Sequence, residues 1–185
     1  MAGETFTFAA EDSWPPFAMA DGSGLSRNII EQALSYSGST ATFITVPYAR
    51  ALKMAENGQV DGAYNVTFQQ NPLQRFVFGN EPLFQAKASF YYPKDSTFNY
   101  ASVDKFPGGI SIALITGYEY GDSYEAHRKR FKEVRVANQR QIINMLLDFT
   151  IDIAWKDWYW LSDRASSANE ILVASSVWIR SPLSI

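Results

Sequence analysis

The chain has 185 residues, 46% of them hydrophobic and 19% charged, a formal net charge of −3 and no cysteine. That length gives one large domain or two small lobes of ordinary folded composition. The absent thiols exclude cysteine catalysis, cysteine–zinc sites and disulfides. The missing basic run leaves nucleic-acid binding without support, and no apolar run is long enough to span a bilayer.

The first residues, Met1-Ala2-Gly3-Glu4, lead straight into a strand pattern with no signal-peptide pattern. Thr5 to Ala10 alternates and predicts a first strand. Glu11-Asp12-Ser13-Trp14-Pro15-Pro16-Phe17 reads as a stiff loop, because two prolines cannot continue a ladder. Leu25 to Tyr36 is expected to be a helix with Leu25, Ile29, Ile30, Ala33 and Leu34 facing inward, ended by Gly38. Ala41 to Val46 reads as a second strand.

The stretch Val46 to Asn65 organises the rest. Pro47 suits the first turn of a helix. Ala51, Leu52, Met54 and Ala55 recur near helical spacing, and Asn57-Gly58 stops the helix. Val60 to Tyr64 then reads as a buried strand. In such a unit the helix start and the strand's C-terminal end border the crevice where α/β proteins take ligands. Arg50 sits in that first helical turn, against the helix dipole, and Asn65 and Thr67 follow the strand.

Beyond Thr67 a polar loop, Phe68 to Leu73, precedes a short extended piece at Arg75 to Phe78. Ala88 to Tyr92 is an apolar strand ended by Pro93, and turn-rich Lys94 to Gly109 is the candidate boundary. The same grammar then repeats. Ile110 to Ile115 reads as a strand, and Gly117-Tyr118-Glu119-Tyr120-Gly121 as a loop. Ser123 to Lys132 reads as a helix, Glu133 to Val136 as a strand, and Asn138 to Leu147 as a helix capped by Asn138. Ile151 to Trp155 is a strand, Trp158 to Arg164 a short helix and Ile171 to Ala174 a last strand. ALKMAENGQVDGAY in the first half echoes IINMLLDFTIDIAW in the second, with Asp61 and Asp152 in matching places. The echo predicts two α/β lobes, residues 1–93 and 94–185, with a cleft between them.

Several residues could carry chemistry. Trp14 and Phe17 could stack on a ligand or plug the loop. Glu11 and Asp157 each follow a strand and could bind an ammonium or act as acid and base; each could equally be a solvated loop carboxylate. Arg50 could grip a carboxylate, or be a surface arginine. Arg75, between apolar neighbours, reads as an edge arginine pairing outward. The tyrosine loop at Tyr118 and Tyr120 does not have nucleotide-binding glycine spacing. His127 stands among Arg128, Lys129 and Arg130 with no companions for a triad or a metal. Trp155 and Trp158 flank Asp157 in an aromatic group that also holds Tyr159 and Trp160.

Taken together, EDSWPPF, GLSRNIIEQAL, VPYARALKMAENGQVDGAYN, QRFVFGNEPLF, GYEYGDSYEAH and TIDIAWKD, in this order, cover nearly all of Thr5 to Asp163. In this the chain resembles the periplasmic solute-binding proteins of family 3, receptors of ABC importers for polar amino acids. The resemblance implies a two-lobed, hinged, periplasmic-binding-protein-like (type II) α/β fold with mixed sheets. It places Glu11 at the ligand's amino group, Trp14 stacked on the ligand and Asn65 and Thr67 near its carboxylate. Tyr118 and Tyr120 fall on the second lobe's loop, and Asp157 at the α-ammonium. It implies a small-molecule ligand, a membrane permease as partner, a periplasmic location after removal of a signal peptide, and no cofactor, metal or catalysis.

Two departures bear on this. The family's carboxylate-binding arginine is replaced near its usual place by Asn71-Pro72, leaving Arg50 or Arg75 to substitute. Relative to the family the chain is C-terminally truncated at Ser181-Pro182-Leu183-Ser184-Ile185, without the return crossing to lobe 1. That predicts exposed apolar surface on the first lobe and makes dimerisation or strand exchange an expectation. The rival readings are a cyclohexadienyl dehydratase-like enzyme and the ligand-sensing module of a receptor.

Overall fold

The structure, a computed structural model, describes residues 3–67, 75–93, 96–97, 100, 102–156 and 167–178, with residues 85–89, 155–156 and 167–178 described through their backbone. The loop Phe68 to Leu73, the Asn71-Pro72 departure, Asp157 and the helix expected at Trp158 to Arg164 lie outside the described residues. Backbone contacts group the chain into two units, Met1–Gln85 with Ala174–Ile185, and Ala86–Val173. The boundary expected at 93/94 therefore lies within the second of these units.

In the first unit, β1 (Thr5–Ala10) runs parallel to β2 (Thr40–Thr45) on one side and β3 (Gly62–Ala63) on the other. The alternation of the first strand sends Phe6, Phe8 and Ala10 to one face. There they pack with Phe43, Tyr64 and, from α1 (Leu25–Tyr36), Ile30 and Leu34. Parallel neighbours require crossovers, which the two helices supply. The second helix, α2 (Tyr48–Glu56), buries Tyr48, Ala51, Leu52 and Ala55 and lies against β1 and β3.

The inward face of α1 differs from the expected one. Leu25 and Ile29 are 46% and 42% exposed, and Ala33 is exposed too. The buried stripe is Ser26, Ile30 and, in part, Leu34, one residue further along the helix. The cause is the loop before it. The N–H of Leu25 donates to the Pro16 carbonyl at 3.1 Å and that of Ser26 to Phe17 at 3.2 Å, which turns Ser26 beneath the loop.

After β3, the short strand β4 (Val66–Thr67) pairs antiparallel with the end of β9 (Ser167–Trp178), Val66 opposite Ser176 and Thr67 opposite Ser175. A long strand, β5 (Phe78–Tyr91), runs through the pieces that the sequence reading divided. Gly79 and Pro82 look like breaks, but a strand that leaves one N–H unpaired tolerates proline.

The second unit repeats the plan. β6 (Ser111–Ile115) lies between parallel β7 (Lys132–Val136) and β8 (Ile153–Lys156), and the end of β5 pairs antiparallel with β8. The helix α3 (Asp122–His127) is shorter than expected, giving way to a 3-10 turn at Arg128–Arg130. Alternation along β6 divides the core. Ile112 and Leu114 join Phe90, Phe106, Tyr124 and Ile153 on one face. Ala113 and Ile115 meet Ile142 and Leu146 of α4 (Gln139–Leu147) on the other. Asn138 caps α4 as expected, its side chain accepting from the Gln141 N–H at 3.2 Å while Gln141 reaches back to the Asn138 N–H.

Candidate functional site

In the first unit the candidate residues gather where β1 and β3 end. Glu11 directly follows β1 and is buried at 3% exposure. Trp14 and Phe17 are buried as well, with ring centroids 4.5 Å apart, and Phe17 meets Phe84 at 4.4 Å. The turn between them closes by paired backbone bonds, Trp14 N–H to Ala18 O and Ala18 N–H to Trp14 O, both 2.9 Å. Gly24 lets this loop seat on α1. Its φ is +145°, and a Cβ there would lie 2.2 Å from the Phe17 carbonyl oxygen. In this arrangement both aromatic rings are held as part of the loop's packing.

Asn65 follows β3 with φ +63°, in the left-handed region, where asparagine is among the few tolerated non-glycine residues. It is 4% exposed. Its Oδ1 accepts from the Ser26 hydroxyl at 2.6 Å, so the start of α1 and the end of β3 are tied side chain to side chain. Its Nδ2 is buried and has no hydrogen-bond partner. A buried donor without a partner costs about 1–3 kcal/mol. Tyr64, next to it, has its hydroxyl pKa pushed up to about 12, by burial first; Arg27 opposes the shift, and the Glu11 and Glu31 charges add to it. Thr67 is half-buried in β4.

The two arginines differ sharply. Arg75 donates to Glu56 Oε1 at 3.1 Å and lies 5.0 Å over the Phe76 ring. Its charge is answered, and Glu56 has its carboxyl pKa lowered by Arg75 first and Lys53 next. Arg50, itself exposed in the first turn of α2, has no side-chain ion pair or hydrogen bond among the described residues.

In the second unit Tyr118 is half-buried and Tyr120 buried, with ring centroids 6.4 Å apart. The Tyr120 hydroxyl accepts the Ile115 N–H at 2.6 Å. Asp157 lies outside the described residues, so the carboxylate expected at this end of β8 has no geometry here. His127 is half-buried and faces the Ser123 carbonyl at 2.8 Å. Among the described residues no group of three His, Asp or Glu side chains could hold a metal, and no helix is long and apolar enough to cross a membrane.

Sequence reasoning missed Ser26 and Gly24, which set Asn65 and the aromatic loop in place. Both lie in the Gly24-Leu25-Ser26 start of α1, which was read for its apolar periodicity alone. In the first unit the arrangement sets a buried, unpartnered amide NH2 at Asn65 near the buried carboxyl of Glu11 and the aromatic loop.

No family model and no curated protein matches the sequence. Solved structures do match it in shape. An ancestral arginine-binding protein bound to arginine superposes with a TM-score of 0.80 at 15% identity, over 99% of this chain and 87% of the other. The GluR0 ligand-binding core from Nostoc punctiforme, in complex with L-glutamate, gives 0.79 at 15% identity over 96% and 85%. An ancestral amino-acid-binding protein described as a precursor of cyclohexadienyl dehydratase gives 0.76 at 15% identity over 96% and 82%. The chain thus has the α/β fold of the periplasmic-binding-protein type that its sequence pattern implied.

Proposed function

We propose that the chain is a solute-binding protein of the family 3 type, which captures a small polar solute such as an amino acid. The observation that carries this reading is Asn65: a buried amide NH2 without a partner, fixed by Ser26 at the C-terminal end of a parallel strand. That is where such folds present ligand contacts. A ligand carbonyl or carboxylate oxygen would answer it, and the unpaired Arg50 is the first-unit cation suited to a carboxylate. Glu11, Trp14, Phe17 and Thr67 complete the proposed first-unit contacts; Tyr118, Tyr120 and Asp157 are those of the second.

The reading includes an extracytoplasmic location and an ABC permease as partner, as in the family the sequence resembles. Dimerisation or strand exchange remains part of it. The test is calorimetric titration with L-arginine, L-glutamine and L-glutamate, followed by Asn65→Ala and Arg50→Ala with whichever binds. Each substitution is expected to raise Kd at least tenfold, about 1.4 kcal/mol. An unchanged Kd for both would overturn the site.

The second reading, a dehydratase, is favoured by the likeness to the dehydratase precursor. Glu11 would then serve as acid or base. Turnover of prephenate or arogenate by the purified protein decides for it, and Glu11→Gln should abolish that turnover.

A further inference from the structure

The Thr116–Gly121 loop of the second unit is held by a side chain that the sequence did not single out. Arg135 lies on β7, paired in register with Leu114 of β6. Its Nη1 donates to the Ile115 carbonyl at 3.3 Å and to the Tyr118 carbonyl at 3.4 Å. One guanidinium nitrogen therefore bridges the last residue of β6 and the crest of the loop. Its Nε donates to Glu133 Oε2 at 3.1 Å. The guanidinium stands 5.6 Å from the centre of the Tyr120 ring, a cation–π contact.

Glu133 is itself fixed from three sides. Besides Arg135, it accepts from the Tyr124 hydroxyl at 2.7 Å and from Arg128 at 3.1 and 3.0 Å. Arg135 thus has one determined orientation, set by a carboxylate that cannot swing. Loops ordinarily adapt because their carbonyls exchange water partners. Here the Ile115 residue has its N–H on the Tyr120 hydroxyl and its C=O shared by Arg135 and the Tyr118 N–H. The strand end and the loop are tied together, and Tyr118 stands half-buried on that loop, packed in part against both core clusters of the unit.

We propose that Arg135 is a positioning residue: it locks the Thr116–Gly121 loop in one conformation and thereby orients Tyr118 toward a bound solute. This rests on the solute-binding reading, and the test separates the two. Arg135→Lys keeps a cation but has one nitrogen, which cannot hold Glu133 as Nε does and reach the Ile115 and Tyr118 carbonyls as Nη1 does at the same time. Arg135→Met keeps the bulk alone. Glu125→Gln, which removes only the outer Arg128–Glu125 pair, is the control.

Hydrogen exchange of the peptide covering residues 116–121 should speed up at least tenfold in both Arg135 variants and stay at the wild-type rate in Glu125→Gln. Titration with L-arginine and with L-glutamine should show Kd raised at least fivefold in Arg135→Lys. Wild-type loop exchange in Arg135→Lys overturns the locking, whether or not Arg135→Met folds. A faster loop with unchanged Kd overturns the link to the solute. If the wild-type chain binds neither probe, the solute-orienting role falls with the solute-binding reading, while the exchange data still decide the locking.

Discussion

The carboxylate of Asp152 accepts two hydrogen bonds from Ser111, from its backbone N–H at 2.8 Å and its hydroxyl at 2.6 Å. The Ser111 carbonyl and hydroxyl in turn accept the Asp152 N–H. In the first unit Asp61 does the same for Thr7: Asp61 Oδ2 accepts the Thr7 N–H at 2.7 Å, and the Thr7 carbonyl accepts the Asp61 N–H at 2.8 Å. Each aspartate stands one step before the parallel register of the first and third strands, Phe8 opposite Gly62 and Ile112 opposite Ile153. It pairs an N–H that the ladder leaves open, and so fixes where that ladder begins.

Removing either carboxylate should therefore cost stability, with binding groups untouched. Hydrogen bonds to a charged group contribute about 1.5–3 kcal/mol, less where water competes. Asp152→Ala, with two bonds lost at a partly buried site, should destabilise by roughly 2 kcal/mol, and the more exposed Asp61→Ala by roughly 1 kcal/mol. Urea unfolding measures both. Equal losses in the two variants would contradict the part given to the Ser111 hydroxyl.

The helix ends form a second matched pair. After α2, the N–H of Gly58 donates to Ala55 and that of Gln59 to Met54; after α4, Phe149 donates to Leu146 and Thr150 to Met145. These are the same two closing bonds. Gly58 has φ +68° and suits it, whereas Phe149 sits at φ +55° with 63% of its surface exposed. A left-handed residue with a Cβ costs about 1–2 kcal/mol. Phe149→Gly should stabilise the chain by about 1 kcal/mol and Gly58→Ala destabilise it by a similar amount. A thermal melt in which Phe149→Gly lowers the midpoint would refute the strain.

Gly24 is the hinge on which the aromatic loop depends. A methyl group there cannot coexist with the Phe17 carbonyl 2.2 Å away. Gly24→Ala should cost roughly 1–3 kcal/mol. It should also speed hydrogen exchange at the Leu25 and Ser26 amides, whose acceptors lie in that loop. Unchanged exchange at those two amides would show that the loop does not rest on Gly24.

Glu133 should make the second unit acid-sensitive. Burial raises its pKa, but hydrogen bonds from Arg135, Tyr124 and Arg128 outweigh it and hold the carboxyl at about 2, against an ordinary 4.5. A group depressed in the folded state contributes its full stability above the unfolded value and loses it as pH falls through the folded one. Stability should thus decline between pH 4.5 and 2. In Glu133→Gln the decline over that interval should be shallower and the stability at neutral pH lower. An identical slope for wild type and variant, measured by urea unfolding at each pH, would remove Glu133 from the account.

Much of this was legible in the residues. The alternation of Thr5 to Ala10, the Asn57-Gly58 stop and the Asn138 cap each act locally, so local pattern sufficed. The aspartate echo was visible because the repeat keeps its spacing. The turn of α1 was not, because both the Leu25/Ile29 and the Ser26/Ile30 stripes fit helical periodicity. A loop that lies next to the helix only in the folded chain decides between them. The same holds for β5, where Gly79 and Pro82 signal a break that strand pairing overrides, and for Arg135, whose partners other than Glu133 (the Ile115 and Tyr118 carbonyls and the Tyr120 ring) are brought near only by folding. The apolar neighbours of Arg75 already suggested an arginine paired outward, but its partner, Glu56, nineteen positions earlier, is brought to it only by folding.

The Pro16 and Phe17 carbonyls already accept the first two amides of α1, those of Leu25 and Ser26, so part of that helix's positive pole is spent within the chain. Freeing those two amides would require lifting the loop. How much of that pole stays on offer is thus governed by how a proline turn is folded, rather than by the net charge of the chain.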